Sequence, residues 1–145
     1  MARYSAGCKS SVGSTTLPLA SLYAAASVGG KLREIGITNT TSTALDVKLV
    51  RLTSAGTQGA GLTEGKHDPE SAAANCTAFN THSAGSPVGD DMGYRASLGA
   101  AVGAGVIWTF GDQGIRIEPG TANGFGIVVE NGSGQACQIY FVWDE

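Results

Sequence analysis

Glycine constrains this chain more than any other residue type: 22 of its 145 positions are Gly, spread from end to end. Each interior glycine weakens a helix by about 1 kcal/mol relative to alanine, so a helical bundle is not expected. Between the glycines, apolar residues recur with a period of two, the mark of a strand with one buried face. Glycine with Ala, Ser and Thr makes up close to half of the chain, yet hydrophobic residues still reach 42% and the net charge is only −3. That balance argues against disorder. A single all-β domain over residues 1–145 is expected.

Residues 1–14 are small and polar and read as an N-terminal arm or a first edge strand. In Lys31–Thr38, strict alternation puts Arg33, Ile35 and Ile37 on one face, with Leu32, Glu34 and Gly36 opposite. Leu45, Val47 and Leu49 then alternate with Asp46 and Lys48, and the polar run Asn39–Thr43 between the segments predicts an antiparallel hairpin. From 54 to 92 the period disappears. Within that stretch, Asp68–Ala74 predicts a helical turn or two, with Asp68 as N-cap and Pro69 at the first helical position. A loop this long inside a compact domain is expected to be functional or interfacial.

Strands resume at Tyr94–Leu98, Val106–Phe110, Ile115–Glu118, Phe125–Glu130 and Cys137–Trp143, and Asn131-Gly132 signals a hairpin between the last two. About eight short strands with turn signals between them predict an antiparallel β-sandwich or jelly roll with a long central loop. Ile35, Ile37, Trp108, Phe110, Phe141 and Trp143 are the candidate core.

Several function classes are poor fits. With 9 basic against 12 acidic residues, the chain lacks the electrostatic footprint of a nucleic-acid binder. No segment supplies the roughly 20 consecutive apolar residues of a membrane helix. Met1–Cys8 has no apolar region behind its Arg3, so no signal peptide is expected. Cys8, Cys76 and Cys137 are odd in number and widely spaced, and read as free thiols.

Gly65-Lys66-His67 resembles the end of a phosphate loop but has Ala60 and His67 where the motif needs Gly and Ser or Thr. His67, Asp68, Cys76 and His82 lack the close ligand pairs of a zinc site, and Asp90-Asp91 lacks calcium-loop spacing. Neither a metal nor another cofactor is expected. No sequence context joins His67 or His82 to a nucleophile, so the chain does not read as an enzyme.

The segments Leu32-Arg33-Glu34-Ile35-Gly36-Ile37-Thr38-Asn39, Gly105-Val106-Ile107-Trp108-Thr109-Phe110 and Tyr140-Phe141-Val142-Trp143-Asp144-Glu145 resemble a group of small virion structural proteins of tailed bacteriophages. The resemblance runs from about Leu17 onward. It implies a jelly-roll capsid decoration, or cement, protein. Such a protein would be made in the host bacterial cytoplasm and bound as a homotrimer to the major capsid protein on the outer capsid surface, where many modest contacts resist packaged-DNA pressure by avidity.

On that reading the arm 1–14 and the loop 54–92 supply the capsid contacts, with Arg3, Tyr4, Lys9, His67, Asp68, Phe79 and His82 as candidates. The candidate core residues then fill the core or the trimer axis. The alternative is a phage tail or head-fibre protein that touches the host surface. A soluble jelly-roll lectin or cytokine-like trimer fits less well without a signal peptide or matched cysteines.

Overall fold

The alternating segments form strands, and three further short strands arise in stretches without a clear period. A computed structural model describes residues 1–145. The strands are β1 (Arg3–Lys9), β2 (Ala20–Tyr23), β3 (Gly30–Asn39), β4 (Leu45–Leu52), β5 (Gly65–Lys66), β6 (Thr77–Phe79), β7 (Val88–Leu98), β8 (Gly105–Thr109), β9 (Ile115–Ile117), β10 (Gly124–Val129) and β11 (Cys137–Asp144). There is no helix. One sheet runs β5-β1-β11-β3-β8, with β9 also on β3, and the other runs β6-β2-β10-β4-β7. Every ladder is antiparallel.

Successive longer strands alternate between the sheets except at β4 and β7, which pair with each other, so that β1, β3, β8 and β11 lie in one sheet and β2, β4, β7 and β10 in the other. This order is a jelly roll. Both predicted hairpins are therefore absent, because β3 and β4 lie in different sheets, as do β10 and β11. Period-two patterning locates a strand but not its neighbour. Asn131 does not take the positive φ that a type I′ turn needs, although Gly132 does, at 73°.

The β3–β4 crossover is organised instead by the fully buried Asn39. Its Nδ2 donates to Thr43 O (2.7 Å) and Gly99 O (3.0 Å), and its Oδ1 accepts from Thr41 N (2.9 Å) and Thr41 Oγ1 (3.0 Å). One side chain thus ties this crossover to the one that follows β7.

The core lies between the sheets. Ile35, Ile37, Phe141 and Trp143 are buried there against Val47, Leu49, Phe125 and Ile127; Trp108 is almost as deep and Phe110 is half-buried. Leu32 is also in the core rather than on the opposite face. Leu32 pairs with Trp143 while Glu34 pairs with Val142, so Arg33 is an extra residue that reverses the alternation of β3. Residues 1–9 form no free arm, since β1 pairs along β11 from Arg3 to Lys9 and along β5 at Tyr4 and Ser5.

The segment between β4 and β7 spans 53–87 and carries β5 and β6. Its Asp68–Ala74 stretch is not helical. Asp68 instead closes a turn, accepting Glu70 N at Oδ1 (3.0 Å) and Ser71 N at its carbonyl (3.0 Å).

On the outer face of the first sheet, Tyr140 lies flat over Gly36, where an added Cβ would come within 2.0 Å of the ring. The ring hydroxyl donates to Glu34 Oε1 at 2.7 Å. Gly36→Ala is expected to displace the ring and cost about 1–3 kcal/mol. Tyr140→Phe, which loses only the hydrogen bond, should cost about 1 kcal/mol or less. Trp143→Ala should cost about 3–5 kcal/mol as a core truncation. Urea unfolding of the three variants checks this order.

Candidate functional site

Two segments that look independent in sequence meet along one side of the sandwich. His67 N donates to Arg3 O (3.0 Å), Tyr4 Oη to Ala72 O (2.9 Å) and Ser11 N to Thr81 Oγ1 (2.8 Å). The middle of the long segment is held by Glu145. Its Oε2 accepts from Asn75 N (2.8 Å) and Asn75 Nδ2 (3.0 Å), and its Oε1 from Cys76 N (2.8 Å) and Trp143 Nε1 (2.8 Å). Burial pushes the Glu145 carboxyl up, but the bonds from Trp143, Asn75 and Cys76 outweigh it and hold the group below its ordinary value.

Beside Glu145, Arg3 grips Asp144 with two hydrogen bonds, at 2.7 and 3.0 Å, and these bonds lower the Asp144 carboxyl. The arm and the 53–87 segment form one fastened surface.

That surface sorts the expected contact residues. Arg3, Lys9, His67 and Asp68 are exposed, and Phe79 is half-buried with its edge towards Tyr23 (ring centroids 6.0 Å). Arg3, His67 and Asp68 come together at the β1–β5 edge. Lys66, which the sequence reading passed over, is exposed beside them. Tyr4 and His82 are corrections: at 3% and 2% exposure, neither can touch a partner. Tyr4 stacks on Trp143 in the core (5.8 Å), because β1 is a sheet strand whose even residues turn inward.

His82 is held for a similar reason. The second sheet buries both of its faces at one end, where Tyr23, Val50, Leu52 and Val128 form a second apolar cluster on the outer side. The 53–87 segment covers that cluster. His82 stacks on Tyr23 (5.9 Å), its Nε2 lies 2.9 Å from Ser21 Oγ, and its Nδ1 has no hydrogen-bond partner. Ser21 is fully buried, so this Ser–His pair is sealed from any substrate.

His67 is exposed and His82 buried, and no three His, Cys, Asp or Glu side chains converge on a point where a metal ion could sit. The three thiols are free; burial pushes Cys76 up to about 12 and Cys137 up to about 11, so neither is a ready nucleophile.

A second surface was not foreseen. Ile107 is 62% and Val102 73% exposed, while Trp108 and Phe110, facing inward, meet Tyr94 (6.0 and 5.0 Å). Strand alternation is the signal that could have found it, since a core-facing Trp108 turns Ile107 outward. Comparison with family models, curated proteins and solved structures returns no match.

Burial lowers the His82 value from 6.5, so the unfolded chain takes up this proton before the folded one does. The stability linked to neutral His82 is complete above about 6.5 and is lost as pH falls below it. The carboxyls of Asp144 and Glu145, held below their ordinary 3.8 and 4.5, act at lower pH. The urea midpoint should therefore fall between about pH 7 and 5, and His82→Leu should flatten that fall.

Proposed function

We propose that the chain is a bacteriophage virion structural protein of the capsid decoration type, bound to the major capsid protein on the outer shell and strengthening it against packaged DNA. The observation that carries this reading is the fastened surface of β1 and residues 53–87. Its backbone is pinned by β1 and by Glu145 while Arg3, Lys66, His67 and Asp68 remain outward. A surface ordered before binding loses little conformational entropy on docking. Repeated over many copies, modest contacts then hold a shell together. The jelly-roll order and the resemblance of β3, β8 and β11 to small phage virion proteins support the same reading.

Purified protein added to undecorated capsids and imaged by electron microscopy should occupy regular shell positions. Absence of ordered binding would overturn the proposal. Replacing Lys66 and His67 together by Ala should weaken shell binding about tenfold, as loss of a few contact residues does. It should leave the melting temperature almost unchanged, because exposed substitutions shift stability by only about 0.5 kcal/mol.

A further inference from the structure

We infer that β8 is an assembly edge through which two copies of this chain join their sheets antiparallel about a twofold axis centred on Ile107. A sandwich has four sheet edges, and the other three are protected here. β5 is two residues long and carries Lys66, and β6 is three residues long. β7 carries Asp90, Asp91 and Arg95, has two register shifts against β4, and contains Gly93 at a φ of 79°. Charges, shortness and bulges are the usual means of blocking edge pairing. β8, Gly105–Thr109, has no charge, no proline and no bulge in its register with β3. The uncharged stretch around it extends from Ala96 to Gly111.

The backbone of β8 is open in a regular way. Its ladder with β3 pairs Val106 with Ile37 and Trp108 with Ile35, and the flanking bonds Asn39 N to Ala104 O (2.7 Å) and Phe110 N to Arg33 O (2.9 Å) continue it on even-numbered residues. In an antiparallel ladder the alternate residues turn their N–H and C=O away. Those residues are Gly105, Ile107 and Thr109. All three are exposed, and none has a backbone partner outside the ladder.

The occupant is argued from symmetry and charge. A twofold at Ile107 sets Ile107 against Ile107, and Gly105 against Thr109, so every outward residue meets an outward residue and all their donors and acceptors pair. Only the residue on the axis meets its own copy, and with Gly105, Ile107 and Thr109 all uncharged no like charges are opposed across the pair. The two Ile107 side chains, now exposed, cover each other on the outer face. A five-residue edge buries less than a standard interface, so the free pair is weak and becomes effective in a many-copy assembly. The pairing does not depend on the shell role, and it is twofold where the phage resemblance implies a trimer.

Sedimentation equilibrium of the whole protein at concentrations up to about 0.5 mM, well above a micromolar Kd, should show a concentration-dependent dimer. Ile107→Lys should weaken it about tenfold or more, a cost of about 1.4 kcal/mol. Near-ultraviolet circular dichroism from Trp108 and Trp143 should show that this variant stays folded. Under mild oxidation Ile107→Cys should form a covalent dimer above the parent's background, because directly opposed residues lie about 5.5 Å apart between Cα atoms. Thr109→Cys, which faces Gly105 of the other copy, should not. A parent that stays monomeric or forms a trimer overturns the inference, as does equal cross-linking by the two cysteine variants or a folded Ile107→Lys protein that still dimerises.

Discussion

The structure depends on the burial of two apolar sheet faces against each other. Leu32, Ile35, Ile37, Phe141 and Trp143 on one sheet meet Val47, Leu49, Phe125, Ile127 and Val129 on the other. A sheet that buries one face must find a second layer, and in a jelly roll it finds it by sending successive long strands across to the opposite sheet, all but the paired β4 and β7 here. The crossovers then run over the ends of the sandwich, where backbone groups need partners. Asn39 supplies them at one end with a fully used side-chain amide, and Glu145 does so elsewhere with four accepted hydrogen bonds.

The long segment 53–87 follows from the same need. The strand β10 is buried along its whole length, so its outward residues require a cover as much as its inward ones. Phe79 and His82 provide part of that cover over Tyr23, Val50, Leu52 and Val128. The segment is long because it is a third layer over part of the second sheet. Its exposed residues at the β1–β5 edge come with a rigid base, which is why the proposed contact surface is an ordered one.

The first sheet therefore offers two different edges. At the β5 side, charged and polar residues stand on a pinned segment and suit a foreign surface. At the β8 side, an uncharged strand leaves its outward hydrogen-bonding groups open and suits a strand like itself. The two proposals put partner contact at one edge and self-contact at the other, so that neighbouring copies would link while each remains bound.

By itself the sequence determined the fold class, because glycine density disfavours helices and alternation over Lys31–Thr38, Leu45–Leu49 and Cys137–Trp143 demands a sheet with one buried face. It also marked Ile35, Ile37, Phe141 and Trp143 as interior residues, since period two says which side chains share a face. Partnership was not legible. Alternation is the same whether β4 pairs with β3 or crosses to the other sheet, and the bulge at Arg33 that turned Leu32 inward left no mark in the pattern. The fate of His82 was equally hidden, because it sits in a stretch without an apolar period, and the alternation of Tyr4, Ala6 and Cys8 is masked by the small polar residues around it. Tertiary packing alone decided that Tyr4 joins Trp143 and that His82 covers Tyr23, for burial depends on what lies opposite a side chain in space.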